Sequence, residues 1–422
     1  MHQQEIKTPG YVLDSRGVIQ PGWAPRAVQT YRRADIKASP LRIKEWDFYQ
    51  VSDREKCLQF TFGHASYAGQ VGIMLFDFKK GEMIADISKL IPFPFGSLHL
   101  PENAEEDSDV TYDKQGVHLR FKTEGDTRFL SFSAPDFEAT ITLERTMPFS
   151  TVIQTPFKES PRMFYYNQKI NCMTARGRAV YKGRTYTFGE DAFGLLDWGR
   201  GVWPYHNEWY WSNGTGPVAG RLFGFNLGRG FGDTSKATEN MLFYGGEVTK
   251  LGRVHFDLGT AYMKPWHLYD DEGKLDLTLT PSFDRTTRIK ALVVNNCVFG
   301  MTGGQMSPES LPGQKTTSSP FGRDININGH PFDVVKTLRE YDIAYLARGS
   351  VSTPAHVLSA QKMIKKALQK QLNGEGFCLV EILSPCPTNW GFPDDRAYQA
   401  LSYMREHQEK FYELGEFIDK GE

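Results

Sequence analysis

The sequence predicts a multidomain chain: an all-β N-terminal region joined near residue 290 to an α/β, parallel-sheet piece. Three observations predict it. From residue 40 to about 285, short runs of alternating apolar and polar residues recur between Gly, Pro and Asp turn signals; this period of two marks half-buried antiparallel strands. Beyond residue 290 the rhythm becomes apolar runs separated by stretches of helical periodicity, the order that builds a parallel sheet with helices on its faces. Between the two lies ALVVNNCVFGMTGGQ (291–305), an apolar strand running out into a glycine-rich loop of the kind that holds a cofactor.

In the first region the strand candidates are LQFTFGH (58–64), VGIMLFDF (71–78), GVHLRFKT (116–123), FLSFSA (129–134), ATITLERT (139–146) and LDLTLTPSF (275–283). No long amphipathic helix interrupts them, and a barrel or sandwich is the architecture that hides their edges. A weak internal repeat adds to this. Glu45-Trp46 is followed by LQFTFG and IMLFDF, and Glu208-Trp209 by RLFGFNLG and NMLFYGG. Two similar β lobes would produce it; so would chance likeness between β-rich segments.

In the second region a strand over 290–295 precedes a helix PFDVVKTLREY (331–341) and a strand IAYLARG (343–349). Thr353 then serves as N-cap and Pro354 as first residue of a helix. Its apolar stripe is Val357, Ala360, Ile364, Ala367 and Leu368, with Lys362, Lys365, Lys366 and Lys370 facing water, and Asn373-Gly374 ends it. A strand FCLVEIL (377–383) and a closing helix over 395–415 complete a βαβαβα order.

Composition narrows the function classes. The chain has 422 residues, 40% of them hydrophobic and 23% charged, enough for two or three cored domains. A formal net charge of -1 supplies no basic field for nucleic acid or anionic membrane. Aromatic residues make up 13% and concentrate before residue 270, pointing to β structure or an aromatic-lined cavity there. No apolar run reaches the ~20 residues of a membrane helix, and MHQQEIKTPGYVL has no apolar signal core; a cytoplasmic protein is expected. The five cysteines, Cys57, Cys172, Cys297, Cys378 and Cys386, form no C-x-x-C pair, which argues against a disulfide framework or a self-contained zinc site.

The segment LLDWGRGVWPYHNEWYWSNGTG (195–216) is the densest in chemistry. Asp197, Arg200, Trp203, Tyr205 and Trp209 could line a pocket, the rings binding an apolar ligand and the ions orienting it. Alternatively Asp197 and Arg200 are a buried pair fixing a turn, and the tryptophans are barrel core. His64 and His206 are expected near the aromatic cluster and read most simply as hydrogen-bonded structural residues. The D-W-G-R-G-x-W-P-Y run and the strands before it, over roughly residues 10–290, resemble a family known as domain of unknown function 2804. That family is similar to the two-lobed, calycin- or lipocalin-like proteins that include carotenoid hydratases. The resemblance implies a calycin-like barrel and a ligand pocket containing the five residues just named. It also implies further strands beyond SFDRTTRIKALVV, which this chain lacks.

Residues 290–422 carry NNCVFGMTGGQMSP (295–308), the run Thr316–Pro320, PFD (331–333), ARGS (347–350), LSPCPTNWG (383–391) and ELGEFIDK (413–420). These motifs, in this order, resemble the C-terminal half of the thiamine-diphosphate-binding β subunit of 2-oxoacid:ferredoxin oxidoreductases. The resemblance implies a Mg²⁺ ion held by the Asn296 side chain and the Val298 carbonyl and bridging the diphosphate of the cofactor. Gly300, Thr302 and Gly304 would let the loop approach the phosphates, and Cys386 would match one ligand of a [4Fe–4S] cluster. An oxidoreductase α subunit and ferredoxin are the implied partners. Two parts of the family pattern are missing. The G-D-G that supplies the charged Mg²⁺ ligand is replaced by WHLYDDEGKLDL, with Asp270 and Asp271, and the upstream C-x-x-C is absent; one thiolate cannot hold a cluster. The chain therefore reads as a chimera with two candidate functions. One is the thiamine-diphosphate-binding portion of a 2-oxoacid oxidoreductase, inactive alone; the other is a β-rich binding module for an apolar or lipid-like ligand with a passive C-terminal fragment.

Overall fold

The structure is a computed structural model that describes residues 3–66, 68–204, 207–259, 261, 263–282, 290–300, 302–372, 375–392 and 396–420. It divides into two compact units, Met1–Arg285 and Thr286–Glu422, each taken by itself below.

The first unit is built on a 13-stranded sheet. Ten of its strands form one antiparallel path: β1 (Ile43–Ser52), β2 (Lys56–His64), β3 (Ala68–Asp77), β4 (Glu82–Pro92), β5 (Ser108–Lys114), β6 (Val117–Glu124), β7 (Thr127–Ala134), β8 (Phe137–Glu144), β9 (Ser160–Tyr181) and β10 (Phe193–Val202). Their spatial order is β4-β3-β2-β1-β10-β9-β8-β7-β6-β5. Strand β1 buries every second residue along its length, the pattern of a strand with one face in a core. That core is common to both arms of the sheet. Phe60 and Phe62 of β2 meet Phe121 of β6, and Phe62 also meets Tyr112 of β5, so the sheet curls until its two ends face each other across one hydrophobic cluster.

The predicted closed barrel does not form. The edge strands β4 and β5 share no ladder among the described residues. The connection between them carries Pro92, Pro94 and Pro101, residues without an N–H to donate to a ladder. A side chain spans the gap instead: Gln115 Nε2 donates to the Leu90 carbonyl at 3.2 Å. Nor do the described residues form a second barrel. The second lobe is a four-stranded sheet, β11 (Tyr210–Val218), β12 (Arg221–Arg229), β13 (Met241–Tyr244) and β14 (Glu247–Lys250), and a three-stranded one, β15 (Val254–Asp257), β16 (Trp266–Asp270) and β17 (Asp276–Leu279). They share a small core of Phe225, Leu227, Leu251, Val254, Phe256 and Leu268. Both halves of the sequence repeat are antiparallel meanders, β1–β2–β3 and β11–β12–β13, but only the first is embedded in a large sheet.

The second unit is a four-stranded sheet ordered β18 (Lys290–Asn295), β20 (Cys378–Leu383), β19 (Tyr345–Ser350), β21 (Gly415–Asp419). The first three strands are parallel as expected. The fourth is antiparallel and begins at Gly415, the predicted end of the closing helix. That helix, α3 (Ala397–Tyr403), passes through a π turn at Met404–Gln408. The chain then extends so that Phe417 and Ile418 pack against the cluster of Val335, Ile343, Leu346 and Leu379. The helix predicted over 331–341 is shorter than its periodicity suggests, α1 (Val334–Leu338), because Asp333 caps it by accepting from the Lys336 amide at 3.1 Å.

In α2 (Pro354–Leu372), Thr353 is the N-cap, its hydroxyl accepting from the His356 amide at 3.1 Å. Ala360 and Ala367 are buried and Leu368 is exposed, with Met363 taking its place in the core. Lys370, expected in water, is buried because Asp419 of the unpredicted strand and Glu375 lie 2.6 and 3.0 Å from its ammonium. The predicted stop at Asn373-Gly374 falls outside the described residues.

A buried ion pair ties this sheet together. Arg348 Nε lies 2.5 Å from Glu381, whose other oxygen accepts from Asn295 Nδ2 at 2.8 Å. Glu381→Ala leaves Arg348 partly uncompensated and is expected to destabilise the second unit by about 3 kcal/mol. An unchanged urea midpoint for that unit would show that the pair does not hold it.

Candidate functional site

Strand β10 contains the D-W-G-R-G run and is hydrogen-bonded on both sides, to β9 and β1. Successive residues of a strand point to opposite faces. Asp197 and Arg200, three residues apart, therefore cannot serve one pocket, and Arg200 is a correction to the predicted site. It lies fully buried on the face of the main core. There it donates to the Trp46 and Pro101 carbonyls at 2.8 and 2.7 Å and pairs with Asp47 at 2.9 Å. Glu45 stands beside it, meeting His64 Nε2 at 3.0 Å and Arg33 at 3.3 Å. Burial opposes ionisation of Glu45, but the His64 hydrogen bond and the Arg200 and Arg33 charges outweigh it and hold its pKa low. For Asp47 burial wins, and its pKa is raised despite Arg200.

Asp197 faces the other way. Register places it opposite Lys169 of β9 and Phe48 of β1. These residues line a cavity of about 370 Å³ with Trp46, Thr61, Tyr165, Trp203, Trp209, Trp211, Phe231 and Glu239. It lies on the face of the curled sheet opposite the main core, so its tryptophans do not line a barrel interior; of the tryptophans in the 195–216 run, only Trp198 belongs to the main core. The rings form a box: Trp46 stacks on Tyr165 at 5.9 Å and meets Trp203 edge-on at 5.2 Å, while Phe231 touches Tyr165, Trp203 and Trp209 at 4.2 to 5.4 Å. Trp209 is half exposed. Tyr205 and His206 fall outside the described residues.

The floor of the box is charged. Lys169 is buried, with its ammonium 3.1 Å from Asp197, 2.9 Å from Glu239, 2.6 Å from Asn167 Oδ1 and 3.2 Å from the Tyr165 hydroxyl. Burial disfavours its charge, yet the two carboxylates overcome that and raise its pKa. Asn167 Nδ2 also donates to Asp197, at 2.6 Å, and Asn226 Nδ2 to Glu239, at 3.1 Å. The reading from sequence missed Lys169, Glu239, Phe48, Tyr165 and Phe231. The signal for Lys169 was its place in YYNQKINCM (165–173), where alternation from Tyr165 puts it on the aromatic face.

Gly199 explains the middle of the motif. A Cβ there would lie 2.1 Å from the Trp46 ring, and one at Gly201 would lie 2.4 Å from the Phe164 carbonyl oxygen. The wall of the cavity is packed against bare backbone.

In the second unit the expected cofactor loop is closed on itself. Asn296 Oδ1 accepts from the Val298 amide at 3.2 Å, and the Val298 carbonyl accepts from the Gly300 amide at 3.0 Å. Thr302 donates to Gln305 at 2.8 Å. Asn389 donates to the Gly300 carbonyl at 3.0 Å, and a Cβ on Gly304 would lie 2.6 Å from its side-chain oxygen. The proposed Mg²⁺ ligands are neutral, and none is a carboxylate. Within the first unit, Asp270 accepts from the Lys274 and Leu275 amides and Asp271 meets His255 at 2.6 Å. Protein-held Mg²⁺ on a diphosphate is usually also bound by one or two carboxylates, and the neutral residues of this loop do not fit it by themselves. Cys386, half-buried, accepts a hydrogen bond from Asn389 at 3.3 Å. Among the described residues no group of three or more His, Cys, Asp or Glu is placed to hold a metal.

Fold and site together define a β protein with an aromatic cavity over a buried ammonium–carboxylate cluster, followed by a small α/β unit of cofactor-loop type. The chain belongs to the family called domain of unknown function DUF2804, whose model matches residues 3–309. Residues 279–382 match the C-terminal thiamine-pyrophosphate-binding domain of thiamine pyrophosphate enzymes. The C-terminal region is 36% identical over 138 residues to ketoisovalerate oxidoreductase subunit VorA of Methanothermobacter thermautotrophicus, covering 32% of this chain and 28% of that protein. It is 35% identical over 105 residues to 2-oxoglutarate synthase subunit KorB of Archaeoglobus fulgidus, covering 25% and 35%. The match thus spans about a third of the length of these relatives. Among solved structures, kievitone hydratase from Nectria haematococca aligns with a TM-score of 0.41 at 9% identity over 57% of this chain and 77% of that one. CghA aligns with a TM-score of 0.41 at 11% identity over 61% and 79%.

Gly199→Ala is expected to push the Trp46 ring out of the box and cost roughly 1–3 kcal/mol. The checks are the thermal midpoint and the near-ultraviolet circular dichroism of the tryptophans; unchanged values of both would contradict the packing described here.

Proposed function

We propose that the first unit is a binding module for a small, largely apolar ligand held in the aromatic box. The observation that carries this is the box itself: four tryptophans, a tyrosine and two phenylalanines around about 370 Å³, walled by glycine backbone and floored by a few fixed polar groups. Small-molecule sites have this makeup, a mostly apolar lining with a few convergent polar groups. Asp197, Trp203 and Trp209 of the sequence-predicted pocket belong to it. Arg200 supports the sheet behind it. Titration with a panel of ring-containing apolar compounds is expected to quench tryptophan fluorescence, and Trp203→Ala is expected to weaken the response at least roughly tenfold, as loss of a central aromatic contact does. A panel that gives no quenching would end this reading.

A second reading concerns the C-terminal unit and is favoured by its identity to subunits of 2-oxoacid oxidoreductases. In it, residues 290–422 are the thiamine-diphosphate-binding portion of a β subunit for oxidative decarboxylation of 2-oxoacids. Asn296, Val298, Gly300, Thr302 and Gly304 would supply half of the cofactor loop, and a partner chain bearing the missing G-D-G half would supply the charge, with an α subunit and ferredoxin completing the complex. Losing one charged partner of a buried ion costs about 3–5 kcal/mol, or roughly two to four decades in affinity. Calorimetric titration with thiamine diphosphate and Mg²⁺ is therefore expected to show no binding by this chain alone. Binding at micromolar concentration, abolished by Asn296→Ala, would prove the half loop sufficient.

A further inference from the structure

The polar floor of the aromatic box also selects the charge of its ligand. Lys169 has three N–H donors, and four acceptors surround them: the Tyr165 hydroxyl, Asn167 Oδ1, Asp197 Oδ1 and Glu239 Oε2. No donor is left for an incoming anion. The carboxylates are in the opposite condition. Asp197 Oδ1 takes the hydrogen bonds of Asn167 and Lys169, and Glu239 Oε2 takes those of Asn226 and Lys169. Asp197 Oδ2 and Glu239 Oε1 have no hydrogen-bond partner among the described residues, and neither is among the fully occluded unpartnered atoms. Glu239 Oε1 packs against the Gly228 backbone, where a Cβ would come within 2.1 Å of it, so Asp197 Oδ2 is the freer of the two acceptors. Both side chains are about nine-tenths buried and line the cavity. One ammonium against two carboxylates leaves the floor with a formal charge of -1.

The walls favour the same sign. Aromatic ring faces carry negative potential and attract cations, most strongly where water is excluded. Two lysines already use them: Lys169 Nζ stands 5.2 Å from the Trp211 ring centroid and Lys44 Nζ 4.6 Å from that of Trp203. Lys44 is bonded to the Trp203 carbonyl at 3.3 Å and is not a lining residue, so it does not neutralise the floor.

We infer that the box takes an organic cation, a protonated amine on an apolar ring-bearing body, with its N–H donors on Asp197 Oδ2 and Glu239 Oε1 and its body among Trp46, Trp203 and Trp209. This rests on the reading of the cavity as a ligand site and narrows the class of ligand from apolar to cationic amphiphile.

The test is calorimetric titration of the full chain at neutral pH with three probes matched in shape: naphthylethylammonium, naphthylethanol and naphthylacetate. The ammonium is expected to bind at least roughly tenfold more tightly than either of the others. In a double variant, Asp197→Asn with Glu239→Gln, that preference is expected to fall to within about threefold while naphthylethanol affinity persists. The order of the three affinities in the unmodified chain decides the matter even where the variant does not fold. Naphthylethanol or naphthylacetate binding as tightly as the ammonium overturns the inference and leaves the cavity a ligand site. Failure of all three to bind overturns the inference and the cavity reading together.

Discussion

The arrangement of the first unit depends on one constraint: β10 is bonded to a neighbour on each side and buried on both faces. A strand so placed must compensate each charged side chain within the protein, because an uncompensated buried charge costs several kcal/mol. Alternation sends Asp197 to one face and Arg200 to the other, and each then requires its own partners. On the main-core side these are Asp47, Glu45, His64 and a set of backbone carbonyls. On the other side they are Lys169 and, through it, Glu239. The glycine between the two ions is the second half of the same solution, since bare backbone at Gly199 admits the Trp46 ring.

The two ionic clusters differ in what they leave over. Around Arg200 the guanidinium is met by carbonyls and carboxylates from several strands, and the cluster reads as a fastening between β1, β10 and the segment at Pro101. Around Lys169 the cation is saturated and the anions are not. The same chemistry of a buried charge pair thus gives a structural knot on one face of the strand and a charged floor on the other.

The second unit leaves part of its apolar edge strand uncovered. Among the described residues, strand β18 has a neighbour on one side only. Its Leu292 and Val294 share a face with Val380 and Ile382, which α2 covers, yet they are 56% and 61% exposed. An apolar strand at an open edge is an association hazard. At the end of that strand the cofactor-type loop turns its polar groups inward on one another, and Asn295, the first of the double Asn, braces Glu381. The unit keeps the form of a cofactor loop without its charge.

The sequence by itself determined the period of each segment, and with it the change from antiparallel to parallel sheet near residue 290. It also determined the motifs that tie the two regions to different families, because such signals are local and survive without tertiary context. It marked 195–216 as the chemical centre, since aromatic density and glycine are legible in a single window. Only the tertiary structure decided which members of that window act together. Whether Asp197 and Arg200 share a face depends on β10 being a strand rather than a turn, and the partners Lys169, Glu239 and Trp46 lie tens to hundreds of residues away in sequence. Sheet closure was equally illegible: each edge strand has a normal strand pattern, and the gap between β4 and β5 arises from how far the whole sheet curls and from the prolines that follow β4. The burial of Lys370 follows the same logic, because it requires a C-terminal strand whose placement beside β19 is set by packing of Phe417 and Ile418 rather than by the helical periodicity that precedes it.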